Sequence, residues 1–107
     1  MAVSTVTIWA LNPGGGAQFF AAAAKAKAIH ERLGAKVRVR QIAVGGPNTG
    51  QIVYTIEHAN MAEYATFTDK LNVDAEWVAL WGAEMIANPK PSASVVSHSF
   101  TSDVPGF

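Results

Sequence analysis

Residues 36–58 read KVRVRQIAVGGPNTGQIVYTIEH, two β-strand sequences separated by a turn sequence. Both flanking runs are rich in Val, Ile, Thr and Tyr, while the Gly, Pro and Asn residues between them are typical of turns. Pairing about the Pro47–Asn48 centre places Arg38 opposite Glu57 and Gln41 opposite Tyr54. The stretch therefore predicts a β-hairpin with one mainly apolar face and one mixed face.

The turn itself must reverse the chain within six residues. Such a turn usually needs a residue with positive φ, which only glycine adopts without a steric cost. Gly46 and Gly50 are the natural suppliers of that conformation.

The composition is that of one globular domain spanning residues 1–107, half of whose residues are hydrophobic. The formal net charge is zero and only 15% of residues are charged, which argues against a nucleic-acid-binding surface. The absence of cysteine excludes disulfides, thiol catalysis and thiolate metal sites. We find neither a signal peptide nor an apolar run of about 18 residues, so we expect a cytoplasmic protein without a membrane partner.

Outside the hairpin, hydrophobic periodicity switches between the strand pattern and the helix pattern. Apolar residues spaced three and four apart predict a helix that ends at Gly34. Asn60 and Asp74 each cap a further helix, the first in a capping box with Glu63. The predicted elements lie at residues 4–11 (strand), 17–33 (helix), 60–71 (helix), 74–88 (helix) and 93–101 (strand).

The periodicity also predicts which side chains share a face. His30, near the end of the first helix, is interpreted as a capping or surface residue that favours the helix dipole. On the last strand, we expect Val96, His98 and Phe100 to face the helices. The last helix should present one broad face formed by Trp77, Leu80, Trp81, Glu84 and Met85.

The order strand, helix, strand, strand, helical segment, strand predicts an α+β domain of the ferredoxin-like βαββαβ type. Right-handed crossovers place the first and third strands at the centre of a four-stranded antiparallel sheet, with helices on one face. We expect the other face to be too apolar for simple solvation and to pack on a second copy of the chain. The residues expected on that uncovered face are Thr7, Trp9, Leu11, Arg38, Ile42, Val53 and Glu57.

Two segments carry a resemblance to a known superfamily: GGPNTGQIVYTIEHANMAEYA at 45–65 and DKLNVDAEWVALW at 69–81. With the order of elements over nearly the whole chain, they resemble the dimeric α/β-barrel superfamily, in which two ferredoxin-like subunits pack sheet against sheet. The resemblance implies a homodimer that binds a small molecule. The superfamily includes cofactor-independent monooxygenases, polyketide cyclases, haem-degrading enzymes and proteins without a known reaction, so the fold does not choose among them.

In many enzymes of this superfamily the pocket lies between the sheet and its own helices. His98 is the best acid–base candidate there, because imidazole titrates near neutral pH. Tyr54 is the second catalytic candidate and would orient an oxygen-bearing ligand. The candidate ligand-binding residues are Gln41, His58, Trp77 and Trp81, with the tryptophans as an aromatic wall.

Each candidate also has a structural interpretation. Trp77 and Trp81 lie at helical spacing, which is common for core residues, and His98 would serve equally as a hydrogen-bonded strand residue. Tyr54 would simply pack with its hydroxyl satisfied.

The residues predict neither a metal site nor a cofactor. The three histidines are dispersed and form no His-x-x-x-His motif, which disfavours a zinc centre. No Lys-Ser or Lys-Thr pair follows Gly16, which excludes a P-loop. Haem remains open, because the last helix carries two tryptophans but the histidines near it lie on strands.

Two functions follow from these observations. The first is a cofactor-free monooxygenase or cyclase acting on an aromatic or polyketide-like molecule. The second is a non-catalytic dimer that binds a metabolite or simply assembles. An open pocket reaching His98 would favour the first function, whereas a pocket filled by Trp77, Trp81 and Met85 would favour the second.

Overall fold

The computed structural model describes the whole chain, Met1–Phe107, and has the predicted ferredoxin-like α+β fold. The last helix continues into a π-helical turn, Gly82–Ile86, and a short 3₁₀ turn, Gly46–Asn48, lies within the hairpin loop. The main elements are β1 Val3–Leu11, α1 Gly16–Arg32, β2 Lys36–Gln41, β3 Ile52–His58, α2 Met61–Val73, α3 Ala75–Trp81 and β4 Ala93–Ser102.

The four strands form one antiparallel sheet in the order β2-β3-β1-β4, which confirms the prediction that the first and third strands are central. The helices cover one face, and the molecule is a slab that measures 42 × 37 × 17 Å. Only 13 of 107 residues are buried, because two layers enclose only a thin core. None of the helices has the length and apolar character needed to cross a membrane.

Both predicted helix caps are confirmed. The Asn60 side chain accepts a hydrogen bond of 2.9 Å from the backbone N–H of Glu63, and the Asp74 carboxylate accepts one of 2.9 Å from Trp77. Each bond satisfies a backbone donor that has no partner within its helix. The Arg32 guanidinium also donates to Asp74 at 2.8 Å, which joins the end of α1 to the start of α3.

The predicted pairing register of the hairpin is wrong by two residues. Arg38 does not lie opposite Glu57, and Gln41 does not lie opposite Tyr54. A shift of two residues keeps every side chain on its own face of the sheet, so the predicted division into two faces survives. The observed pairs are Lys36 with Glu57, Arg38 with Thr55 and Gln41 with Ile52.

Hydrogen bonds at the base of the loop explain this shift. The Ile42 N–H donates to the Gln51 carbonyl, and the Gly50 N–H donates to the Ile42 carbonyl, both at 2.8 Å. These bonds centre the turn one residue before the Pro47–Asn48 position assumed from composition. Gly46 and Gly50 both have positive φ, of 59° and 89°, as predicted.

The prediction for the faces of β1 is wrong. Thr7 and Trp9 face the helices, where the Trp9 ring lies 5.7 Å from that of Phe19, and Leu11 packs on the same core cluster. The uncovered face instead carries the alternate residues, including Val6 and Ile8. Alternation divides a strand into two faces but does not say which face meets the helices, because both sets here contain apolar residues.

A bulge changes the predicted face of β4. The register shifts between Ile8 and Trp9, so that Ser97 lies opposite Ile8 while Val95 lies opposite Trp9. Val96 is the extra residue and has no partner on β1. Val95, not the predicted Val96, therefore joins His98 on the side of the sheet that faces the helices.

Candidate functional site

A cavity of about 470 Å³ lies between the sheet and the helices. Its floor is formed by β1, β3 and β4, and its walls by α1, α2, α3 and the π-helical turn. Fifteen of its 21 lining residues are hydrophobic. Small-molecule sites typically have volumes of about 300–1,000 Å³ and mostly apolar linings, so this cavity has the size and character of a ligand pocket.

Small side chains on α1 leave this space open. Ala22, Ala23 and Ala26 face the cavity, whereas Phe19 at one end of the helix and Ile29 near the other are buried. Alanines one turn apart keep the helix regular but fill little volume between it and the sheet. The cavity is therefore a product of the Ala-rich sequence of α1.

Three tryptophans form one wall. Trp77 and Trp81 are stacked with ring centroids 5.5 Å apart, and Trp9 meets Trp81 edge-on at 6.5 Å. Leu80, Glu84 and Met85 complete the face of the last helix. This face is the one that the helical period predicted.

His30 and Tyr54 form a buried polar pair in the cavity lining. His30 is only 2% exposed, and its Nδ1 shares a hydrogen bond of 2.7 Å with the Tyr54 hydroxyl. The interpretation of His30 as a surface or capping residue is therefore wrong. A usable signal was present, because His30 follows Ala26 by four residues and so continues the inward-facing stripe of α1.

Burial keeps both members of this pair uncharged. Loss of solvation lowers the pKa of His30 from 6.5 to about 4, and the nearby His58 adds a smaller shift in the same direction. Burial likewise raises the pKa of Tyr54, with a smaller contribution from Glu31. At neutral pH the cavity therefore presents a neutral imidazole and a neutral phenol.

The second ring nitrogen of His30 is an exception to the usual pairing of buried polar atoms. Its Nε2 is buried and has no hydrogen-bond partner within the protein. The surrounding groups are the rings of Tyr54, Phe67 and Trp77, with centroids 4.6–5.7 Å away. Gln51 Oε1 and His58 Nε2 are also buried without a partner, but of these three residues only His30 lines the cavity. Its Nε2 is therefore the unpaired atom that a ligand in the cavity would satisfy.

A second polar pair lies on the floor of the cavity. The Thr7 hydroxyl and His98 Nδ1 share a hydrogen bond of 2.7 Å, and both residues line the cavity. Thr7 pairs with His98 on β4 and with Tyr54 on β3. Residues directly opposite on adjacent strands lie about 4.5–5.5 Å apart at Cβ. A polar row of Tyr54, Thr7 and His98 thus crosses the floor, whose other lining residues on the strands are Thr5, Trp9, Ile56 and Val95.

Gln41 and His58 do not line the cavity. Gln41 is exposed on the edge strand and donates a long hydrogen bond of 3.4 Å to the Gly50 carbonyl. His58 is buried under α2, with its ring 4.6 Å from that of Phe67, and burial lowers its pKa. The sequence-predicted residues that the structure brings together around the cavity are Tyr54, Trp77, Trp81 and His98.

The charge of the lining bears on the ligand. Glu84 is the one carboxylate among the lining residues, which include no lysine or arginine. The Glu84 carboxylate accepts a hydrogen bond of 3.0 Å from the Gln18 amide. No group of three or more His, Cys, Asp or Glu side chains is placed to hold a metal ion.

The fold and the cavity define a ferredoxin-like domain with an internal aromatic pocket. No protein-family model matches the chain, and no curated protein matches it. Among solved structures, it is similar to an uncharacterized NIPSNAP-like domain protein from Burkholderia xenovorans, with a TM-score of 0.64 and 14% sequence identity. The match covers 94% of this chain and 81% of that one. At this identity the similarity shows the fold alone, so membership in the dimeric α/β-barrel superfamily stays a prediction.

Proposed function

We propose that this protein binds a neutral, oxygen-bearing aromatic molecule in the cavity and acts on it by proton transfer. The observation that carries the proposal is the cavity of about 470 Å³, which has an aromatic wall and is lined by two histidines, each hydrogen-bonded to a hydroxyl group: His98 to Thr7 and His30 to Tyr54. Apolar walls with a few placed polar groups are the usual design of small-molecule sites.

The lining favours a neutral ligand over an anion. A carboxylated ligand would enter a largely apolar space without a cation to pair with, and it would meet the charge of Glu84. Burying an unpaired charge is costly in such surroundings. An aromatic ketone or a polyketide-like ring system meets these conditions.

His98 is the proposed general base. In this role the ring proton is on Nδ1, which donates it to the Thr7 hydroxyl oxygen, so that the ring is fixed and the lone pair of Nε2 is free to take a proton. Removing a proton beside a carbonyl group gives an enolate, the common starting point for cofactor-free oxygenation and for cyclisation. The open cavity reaches His98, while Trp77 and Trp81 form its wall instead of filling it. This arrangement supports an enzymatic function over that of a non-catalytic binding protein.

Binding is tested by titrating the protein with 1-tetralone, a neutral bicyclic ketone, by calorimetry. Replacing Ala26, which lines the cavity, by Leu should weaken binding at least tenfold because the added side chain occupies the site. Replacing the exposed Ala24 on the same helix by Leu is the matched control and should leave binding unchanged. Equal affinities for the two variants would place the ligand outside the cavity.

Catalysis is tested by deuterium exchange. The protein should accelerate incorporation of deuterium from D₂O at the carbon next to the carbonyl group of 1-tetralone. His98→Gln should slow the exchange roughly 10²–10⁴-fold, the usual contribution of a general base. If the wild type binds 1-tetralone but does not accelerate the exchange, the protein is a non-catalytic binding protein instead.

We further propose that the uncovered face of the sheet packs on a second copy of the chain. The centre of this face is apolar, with Val6, Ile8 and Val53, while Lys36, Arg38 and Arg40 form a basic row on β2 (assigned by strand register). A two-fold axis parallel to the strands would place β2 of each copy over β4 of the other copy, which carries serine and threonine hydroxyls. The basic rows of the two copies would then lie apart and would not repel each other. A partner would also enlarge a core that now contains only nine buried hydrophobic residues.

Light scattering tests the dimer. The wild type should have about twice the 11.3 kDa mass of the chain. Ile8→Glu should give the monomer, because it buries a carboxylate at the centre of the proposed interface. Val44→Glu, in the exposed hairpin loop, is the control and should remain dimeric. A monomeric wild type at high concentration would overturn this part of the proposal.

A further inference from the structure

The proposed proton transfer gives no role to the unpaired Nε2 of His30. This nitrogen is buried, it has no partner within the protein, and its residue lines the cavity. The Trp77 ring is centred 4.6 Å from the imidazole and offers no more than a weak N–H–π contact. A ligand atom that completes this missing hydrogen bond would therefore be recognised selectively.

The partner on the other ring nitrogen decides whether Nε2 donates or accepts. If Tyr54 donates its hydroxyl proton to Nδ1, the neutral imidazole carries its own proton on Nε2. In the opposite arrangement, Nδ1–H donates to the Tyr54 oxygen, and the buried hydroxyl proton then has no acceptor in the protein. That arrangement leaves two groups unsatisfied instead of one, so the Nε2–H tautomer is favoured.

We infer that the Nε2–H group of His30, positioned by Tyr54, donates a hydrogen bond to a carbonyl oxygen of the cavity ligand. The inference rests on the proposed function and narrows its ligand to ketones and quinone-like molecules. An ammonium group cannot take this place, because it offers protons and has no lone pair that could accept the bond. The same bond would stabilise the oxygen as it becomes negative.

The assignment is consistent with the proposed proton transfer. His98 takes the proton from the carbon beside the carbonyl group, and the electron pair of that C–H bond forms the enolate double bond. The carbonyl π pair moves to the oxygen, which the His30 N–H group holds. His98 then returns its proton to carbon, and nothing is oxidised or reduced. Tyr54 on β3 acts as a positioning residue for His30 on α1, and Thr7 separates it from His98 across the sheet.

The first test is the tautomer of His30, read from ¹⁵N NMR spectra of the imidazole nitrogens in the wild-type protein. We expect the proton on Nε2 and the lone pair on Nδ1. Addition of 1-tetralone should shift the Nε2–H resonance more than that of His58, which lies outside the cavity. A proton on Nδ1 would overturn the inference without any need for a ligand.

The second test compares 1-tetralone with tetralin, which has the same ring skeleton without the oxygen. The protein variant carries His30→Leu together with Tyr54→Phe, because removing both partners avoids leaving one of them buried and unpaired. We expect the variant to bind 1-tetralone about tenfold more weakly, equivalent to 1.4 kcal/mol, and tetralin within about threefold of the wild type. Comparing each probe between the two proteins cancels the hydration of the free probe.

The outcomes separate the inference from the proposed function. If the variant loses the same factor of affinity for both probes, the role of His30 is overturned but binding in the cavity is still supported. Failure of the wild type to bind either probe would overturn the proposed function, and the inference would fall with it. Selective loss of 1-tetralone binding supports both.

Discussion

Acidification should destabilise the fold through His30. The imidazole is buried and neutral in the folded protein, whereas in the unfolded chain it is solvated and takes up a proton at its ordinary pKa of 6.5. The unfolded state therefore binds more protons than the folded state between the two pKa values. Stability is fully present above about pH 6.5, falls as the pH decreases towards 4, and loses no more through this group below that.

The magnitude follows from the size of the shift. A pKa lowered from 6.5 to about 4 corresponds to a full loss of about 3 kcal/mol, at about 1.36 kcal/mol per unit. At pH 4.5 most of this loss, about 2–3 kcal/mol, should already have occurred. Small domains are stable by only about 5–15 kcal/mol, so the effect is large enough to measure.

Urea unfolding at pH 7 and pH 4.5, at one protein concentration, measures this loss. The control is the variant with His30→Leu and Tyr54→Phe, which lacks the buried imidazole but keeps His58, whose pKa is also lowered by burial. We expect the wild type to lose about 2–3 kcal/mol more than the control between the two pH values. Equal losses in the two proteins would refute the reasoning that burial of His30 costs stability in acid.

Two further predictions concern glycines at positions with different constraints. Gly50→Val should destabilise the fold by roughly 1–3 kcal/mol, because a β-branched residue is strained at a φ of 89°, whereas Ala43→Val in the same loop should have little effect on the denaturant midpoint. Gly15→Ala should lower the free energy of unfolding by about 1–3 kcal/mol, because the added Cβ would collide with the carbonyl oxygen of Ser92. Gly16→Ala is the control and should leave the thermal midpoint nearly unchanged, because a Cβ there would meet nothing closer than 3.9 Å.

The parts of the site built from one helix were predictable from the sequence. Trp77 and Trp81 lie four residues apart, and they line the cavity together because a regular helix places such residues on one face. Glu84 stays on that face although it lies in the π-helical turn. The caps at Asn60 and Asp74 were equally local, since each needs only a side chain and a backbone N–H three residues later. Local patterns thus specified the elements and the face of the last helix.

The remaining features depend on contacts that no local pattern contains. Thr7 and Trp9 were assigned to the wrong face because alternation along β1 is symmetric between the two sides of the sheet. Val95 replaces Val96 because a bulge inserts one residue, and nothing in the sequence of β4 marks its position. The spacing of His30 from Ala26 indicated its burial, but its hydrogen-bond partner could not be predicted, because Tyr54 lies 24 residues away on β3.

A crystal structure of the protein in complex with 1-tetralone tests most directly the proposal that the space between the sheet and the helices binds an aromatic carbonyl compound. We expect the ligand to lie between α1 and the floor formed by β1, β3 and β4, with its carbonyl oxygen within hydrogen-bond distance of His30 Nε2. A cavity closed by the rings of Trp77 and Trp81, or a ligand bound elsewhere on the molecule, would contradict the proposal.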